Sequence, residues 1–177
     1  MSTSSTSPAA ACRVVVIGGG MVAHRFVEAL RDGTESGRVA VTVVAEEPRA
    51  PYDRVALTSY FTGRDPESLS LGDRAFWRAP GVTLRTAATA AAIDRAQRTV
   101  TLADGAVLPY DELVLATGSS AFVPPVRGHD LDGCFVYRTI DDVASLRGYV
   151  EGLRREHPER PVRGVVVGGG LLGLEAA

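Results

Sequence analysis

Short apolar runs alternate along this chain with stretches of helical period, and in one region the period drops to two. Val14-Val-Val-Ile17 reads as a strand covered on both faces, and Val22 to Leu30 carries apolar residues at helical spacing with Gly33 as its stop. Val39-Ala-Val-Thr-Val-Val-Ala45 is a second buried strand, closed by Glu46-Glu47-Pro48. Asp73 to Arg78 reads as a short helix ended by Pro80-Gly81, and Val82-Thr-Leu84 as a strand. From Ala90 to Tyr110 apolar and polar residues alternate, with Asp104-Gly105 as a hairpin turn, which predicts a small antiparallel meander in place of a crossover helix. Glu112-Leu-Val-Leu-Ala116 is a further buried strand. Asp141 to Arg155 is helical, with Thr139 or Asp141 as its cap and Arg154 and Arg155 at its negative end. Strands alternating with helices predict an α/β fold whose parallel sheet uses segments near 13–17, 39–45, 112–116 and 164–168.

Chemistry enters at the turn after the first strand. Gly18 and Gly20, with Ala23 in the third place, fit Gly-x-Gly-x-x-Gly/Ala. The first glycine permits the tight turn, the second lets the backbone approach a pyrophosphate, and a small third residue lets helix and strand pack closely. The N–H groups of Met21, Val22 and Ala23, at the positive end of the helix, then face the phosphates. Glycine turns between strand and helix are common, but this chain repeats the pattern at Val165-Val-Val-Gly-Gly-Gly-Leu-Leu-Gly173, with Gly168, Gly170 and Gly173 in the three places.

Glu46 stands where a carboxylate can accept hydrogen bonds from both ribose hydroxyls, the alternative being a solvated acidic strand end. In Pro51-Tyr-Asp-Arg-Val-Ala-Leu-Thr-Ser-Tyr-Phe61, Arg54 offers a planar fork for phosphate oxygens, or is a surface arginine in a turn. Gly118 permits close approach of a ligand and Thr117 offers a hydroxyl. Trp77 reads as core, and His24 as a packing or surface residue without chemistry. His129 and His157 lie in loops, unpaired with cysteine or carboxylate at ligand spacing, so no metal site is expected.

Charge and composition narrow the partners. A net charge of −2 and pI of 5.9 give no basic footprint, so neither nucleic acid nor an anionic membrane is expected. With 45% hydrophobic residues the chain can bury a core, yet no apolar run approaches the roughly 20 residues that span a bilayer. Residues 1–11 open with a Ser/Thr-rich stretch lacking the basic start and apolar run of a signal peptide, and read as a disordered tail. Cys12 and Cys134 form no Cys-x-x-Cys pair; they read as two buried free thiols, and their spacing suits a reducing cytoplasm.

The order of glycine turn, Glu46, Pro51-Tyr-Asp-Arg54, meander, Leu115-Ala-Thr-Gly118 and second glycine turn resembles the two-dinucleotide-binding-domain flavoprotein reductases, the pyridine nucleotide-disulphide oxidoreductase type. Within them it is most similar to the N-terminal, FAD-binding part of the large subunit of assimilatory NAD(P)H nitrite reductases. That closer match is carried by Gly20-Met-Val-Ala-His-Arg-Phe26, Glu46-Glu-Pro-Arg-Ala-Pro-Tyr-Asp-Arg54, Ser59-Tyr-Phe61, Cys134-Phe-Val-Tyr-Arg-Thr-Ile140 and Gly168 to Ala177.

The resemblance implies a Rossmann-like FAD/NAD(P)-binding fold, with an FAD-binding domain at 12–160 and the start of a truncated NAD(P)H-binding domain at 161–177. It implies that the first turn holds the FAD pyrophosphate, Glu46 the adenosine ribose and Arg54 the phosphates. The backbone near Ala90 would meet the adenine, and Thr117-Gly118 the cofactor; the second turn, with Glu175 in its helix, resembles the NAD(P)H site. Many relatives carry Lys five residues beyond the arginine, where this chain has Ser59.

The implied activity is transfer of electrons from NAD(P)H through FAD to a siroheme and [4Fe-4S] centre that reduces nitrite, encoded further along a larger enzyme in nitrate assimilation. A small subunit or electron-acceptor protein is the implied partner, and no side chain is assigned a catalytic role. The alternatives are a ferredoxin- or rubredoxin-type FAD reductase and a non-catalytic FAD-binding fragment. On this reading the 177-residue chain alone is not a competent enzyme.

Overall fold

The computed structural model describes residues 10–34, 37–170 and 173–174. The expected tail therefore lies almost wholly outside the described residues, as does Glu175. The chain divides into two compact units: Met1–Tyr52 with Ser70–Gly118, and Asp53–Leu69 with Ser119–Ala177.

The first unit holds a four-stranded parallel sheet of order β3-β2-β1-β7, in which β1 is Cys12–Ile17, β2 Val39–Val44, β3 Val82–Arg85 and β7 Glu112–Leu115. β1 pairs with β2 from Cys12 opposite Val39 to Ile17 opposite Val44, and with β7 from Val14 opposite Glu112 to Ile17 opposite Leu115. Helix α1 (Met21–Asp32) follows the glycine turn, and Gly33 ends it by donating to the Ala29 carbonyl. Successive strand residues face opposite sides of the sheet, so each side gathers its own core. On one, Val14, Val16, Val41 and Val43 pack with Ala23 and Val27 of α1 and with Trp77 of the short helix α3 (Arg74–Trp77). On the other, Val15, Ile17 and Val44 pack with Val100, Leu102 and Tyr110. That second side is covered by the meander β4 (Ala90–Asp94), β5 (Thr99–Leu102) and β6 (Val107–Pro109), antiparallel as the two-residue period predicts. Trp77 is core, as expected, its indole N–H donating to the Leu71 carbonyl at 2.8 Å. His24 packs against Phe76 and Trp77, with ring centroids 5.0 and 5.9 Å away.

In the second unit α2 (Leu57–Phe61) packs on α4 (Ile140–Glu156), with a 3-10 turn at Pro66–Leu69. Of the two candidate caps Thr139 is the one used. Its hydroxyl accepts from the Asp142 N–H while the Asp142 carboxylate accepts from the Thr139 N–H, a closed capping box.

Two expectations are corrected. Residues 164–168 are not a strand, and Val165 and Val167 are 89% and 86% exposed. A strand exists only through its ladder, and no described segment pairs with this one. The cysteines are free, but neither is buried: Cys12 is half-buried at the edge of the first core, and Cys134 is exposed in the loop before α4. Among the described residues no helix is long and apolar enough to cross a membrane.

Candidate functional site

The carboxyl ends of β2, β1 and β7 converge on the first glycine turn, and the three glycines are there for different reasons. Gly18 has φ +117°, its N–H donates to the Val44 carbonyl at 2.9 Å, and a Cβ would stand 2.0 Å from the Ala116 carbonyl oxygen. Gly19 is wedged from the other side, where a Cβ would fall 2.3 Å from the Cβ of Ala45. The fold therefore demands glycine at both. Gly20 has φ −98° and ψ −170°, which any residue adopts, and a Cβ there would meet nothing within 4 Å. No described atom of the chain requires Gly20 to be glycine.

Gly20 is also the cap of α1, and it offers no side chain to the helix. The first bond of the helix runs from His24 N–H to the Gly20 carbonyl, 3.1 Å. Helix geometry thus leaves the N–H groups of Met21, Val22 and Ala23 without an intrahelical acceptor, and no acidic residue sits in the first turn. Met21 and Val22 are exposed, whereas Ala23 is fully buried against the sheet, so the small third residue does serve helix-to-strand packing.

Around this turn the strand ends bring up the other expected residues of the first unit. Just past β2, Glu46 is exposed and its carboxylate has no hydrogen bond or ion pair among the described residues. Its neighbour Glu47 is engaged: it accepts from the Tyr52 hydroxyl at 2.9 Å and lies 3.6 Å from Arg49. Ala90 opens β4, directly before a register shift in the β4–β5 ladder. Thr117 and Gly118 follow β7, both exposed, with Gly118 at φ +69°. Glycine turn, acidic strand end and Thr-Gly turn therefore belong to adjacent strands at one end of one sheet, where the chain order switches from β2 on one side of β1 to β7 on the other.

Arg54 lies in the second unit, where its guanidinium donates to the Arg138 carbonyl at 3.5 Å, just ahead of α4. In that unit Tyr137 donates its hydroxyl to Thr58 at 3.1 Å and Arg147 donates to the Tyr60 carbonyl at 3.2 Å. Ser59 spends its own hydroxyl on the Ala56 carbonyl, 2.6 Å away. The second glycine turn is shaped like the first in part. Gly168 has φ +146°, a Cβ at Gly173 would fall 2.1 Å from the Gly168 carbonyl oxygen, and Leu174 donates to the Gly170 carbonyl at 3.1 Å. No described atom stands within 4 Å of a Cβ placed at Gly168, Gly169 or Gly170. No cluster of three His, Cys, Asp or Glu side chains suited to a metal occurs among the described residues.

Sequence reasoning assigned the ribose to Glu46 but missed the engagement of its neighbour Glu47, and no residue pattern marked the contact between Gly19 and Ala45. The one available signal for the former was Tyr52, an aromatic hydroxyl five residues on.

Residues 12–177 match the sequence family described as pyridine nucleotide-disulphide oxidoreductase. The large subunit of nitrite reductase [NAD(P)H] from Klebsiella oxytoca is 48% identical over 164 residues, 93% of this chain and 16% of that protein. The nitrite reductase (NADH) large subunit of Escherichia coli K12 is 44% identical over 165 residues, again 93% of this chain and 18% of the relative. The chain thus spans less than a fifth of the length of either relative. Among solved structures, the ferredoxin reductase for the CYP199A2 system of Rhodopseudomonas palustris superposes with a TM-score of 0.77 at 30% identity, covering 92% of this chain and 38% of that one.

Proposed function

The chain belongs to the pyridine nucleotide-disulphide oxidoreductase family, and we propose that it is the FAD-binding portion of a larger, cytoplasmic NAD(P)H-dependent nitrite reductase. Gly20 carries this reading. Gly18 and Gly19 are explained by the chain's own atoms, whereas a glycine in ordinary backbone conformation facing open space is explained by what approaches it from outside. A dinucleotide pyrophosphate is that group, because the uncapped N–H donors of the exposed Met21 and Val22 and the positive helix end adjoin it, while the buried Ala23 lets the helix pack close to the strand.

The remaining residues take their parts around it. Glu46, unlike Glu47, has its carboxylate available for two ribose hydroxyls. The backbone at Ala90 takes the adenine, Thr117 and Gly118 approach the cofactor, and Arg54 contributes its planar fork to the phosphates. Gly168, Gly170, Gly173 and Glu175 belong to the NAD(P)H turn of a second domain beginning near residue 161, the FAD domain occupying 12–160. Bound FAD supplies the exchange between a hydride donor and one-electron acceptors; this chain's residues bind and orient it. In the longer protein a siroheme and [4Fe-4S] centre, with a small subunit or carrier protein, would receive the electrons. Delivery to a ferredoxin-type carrier is the second reading, favoured by the solved reductase, and the higher identity to nitrite reductases favours the first.

The test compares two variants of the full-length protein by flavin titration. Gly20→Val costs less than about 1 kcal/mol of stability, as cap substitutions do, but lowers FAD affinity more than about a hundredfold. Glu46→Ala weakens FAD less, since charge-assisted hydrogen bonds are worth ~1.5–3 kcal/mol each. Equal or reversed losses would overturn the assignment.

A further inference from the structure

The loop after β2 presents two adjacent carboxylates with opposite fates, and the second is held on every side. The Glu47 carboxylate accepts from the hydroxyl of Tyr52, itself 3% exposed, at 2.9 Å, with Arg49 3.6 Å from the same oxygen. The Glu47 carbonyl accepts from the Ala87 N–H at 3.0 Å, and one step away the Ala45 carbonyl accepts from the Ala88 N–H at 2.9 Å. Ala45 N–H in turn donates to the Arg85 carbonyl at 2.8 Å. The residues on both sides of Glu46 are therefore pinned, main chain to main chain, to the segment that leads into β4 and Ala90. Ala87 is held at φ +51°, one of two non-glycine residues at positive φ among the described residues. Such a conformation persists where the surroundings impose it.

We infer that Glu47 is a positioning residue: by locking its side chain on Tyr52 and its carbonyl on Ala87, it sets the direction of the Glu46 carboxylate and its distance from the backbone at Ala90, and so preorganises the adenosine half of the cofactor site. This rests on the FAD reading above. Glu46 alone is a flexible exposed side chain on a strand end; fixing the backbone to either side removes the freedom it would otherwise lose on binding. A carboxylate engaged by a buried phenol cannot exchange roles with its neighbour, so the order of the pair matters.

The experiment is a double-mutant cycle in the full-length protein, reading FAD and FMN affinity of the apoprotein. Glu47→Ala and Tyr52→Phe each weaken FAD about three- to tenfold, the range set by one lost hydrogen bond. Glu47→Gln keeps an acceptor for the phenol and stays within about twofold of wild type, by the same reasoning. Because Glu47 acts through Glu46, adding Glu47→Ala to Glu46→Ala costs no further affinity. FMN, which lacks the adenosine, binds all variants alike. Multiplying losses in the double variant, failure of Glu47→Gln to rescue, or a parallel fall in FMN affinity would overturn the inference. Hydrogen exchange at the Ala87 and Ala88 amides supplies the arm that does not need the cofactor. These amides exchange faster in Tyr52→Phe than in wild type, and equal rates overturn the latch. A wild-type protein that takes no FAD, with those amides protected, overturns the FAD reading instead.

Discussion

The two glycine turns begin from almost the same residues, Val14-Val-Val-Ile-Gly-Gly-Gly-Met21 and Val165-Val-Val-Gly-Gly-Gly-Leu171. In both, the residue four places after the last glycine of the trio donates to that glycine's carbonyl at 3.1 Å, and in both that last glycine faces open space. They differ in what comes before. Val14–Ile17 is laddered on both sides, to β2 and to β7, and Val16 is fully buried. Residues 164–168 have no ladder among the described residues, and Val165 is almost fully exposed. The glycine pattern writes the turn and the helix start, which are local. It does not write the strand, whose hydrogen bonds belong to segments far away in the sequence.

The contrast is tested hardest at the leading glycines. Gly18→Ala puts a Cβ 2.0 Å from the Ala116 carbonyl at φ +117°, and the expected loss is at least about 3 kcal/mol in denaturant unfolding. Gly168→Ala meets the same kind of backbone strain at φ +146° but open space, and should cost about 1–2 kcal/mol. Equal costs would mean that the two turns are equally embedded. A smaller effect comes from the valines. Val16→Ala empties space in a closed core and should cost about 2 kcal/mol or more, whereas Val165→Ala should stay within about 0.5 kcal/mol.

The same division explains what the sequence revealed. β1, β2 and β7 were readable because each is a run of Val, Ile or Leu bounded by glycine or acidic residues, and α4 because Thr139 and Arg155 mark its ends. Asp104-Gly105 announced one hairpin; the other, between Asp94 and Thr99, carries Arg98 at φ +51° where a glycine would have signalled the turn. That β3 joins the parallel sheet beside β2 depends on a pairing of Val41 with Val82, which periodicity does not record. α2 is five residues of mixed propensity, stabilised by packing on α4. At the site, the glycine spacing located the turn, but the separate reasons for Gly18, Gly19 and Gly20 appear only once Ala116 and Ala45 stand beside them.

The laddered strands also carry a clip whose effect depends on pH. The Asp111 carboxylate accepts from the Arg13 backbone N–H at 2.8 Å and from its guanidinium at 2.8 and 3.0 Å, and Asp111 N–H returns a bond to the Arg13 carbonyl at 2.8 Å. The Arg13 hydrogen bonds hold the Asp111 carboxyl well below the usual carboxylate range. A depressed folded-state pKa contributes stability that is present above the unfolded value, near 4, and is lost as pH falls below it. Wild-type protein should therefore lose stability from this pair as pH drops from about 4, and Asp111→Asn should be less stable near neutrality with a shallower acid limb. The pair is exposed, so the difference is modest, and acid unfolding curves of the two proteins measure it. Parallel acid limbs would show that the clip does not couple β1 to β7.

The smallest effect runs the glycine experiment backwards. Ala87 holds φ +51° because its N–H and that of Ala88 are bonded to Glu47 and Ala45. A left-handed conformation costs an L-residue roughly 1–2 kcal/mol, which glycine does not incur. Glycine gives back about 0.5–1 kcal/mol through the greater freedom of the unfolded chain. Ala87→Gly should therefore stabilise by about 0.5–1 kcal/mol, a rise of a few degrees in thermal unfolding. Gly168→Ala introduces the same kind of strain where no ladder imposes the backbone angle, so the chain there can relax toward an ordinary φ. The cost at Gly168 should shrink by that relaxation, while the gain at Ala87 should appear nearly in full. A destabilised Ala87→Gly would mean that the methyl group contributes packing worth more than the strain, and that the angle at 87 is chosen by the side chain and not imposed by the bonds to Glu47 and Ala45.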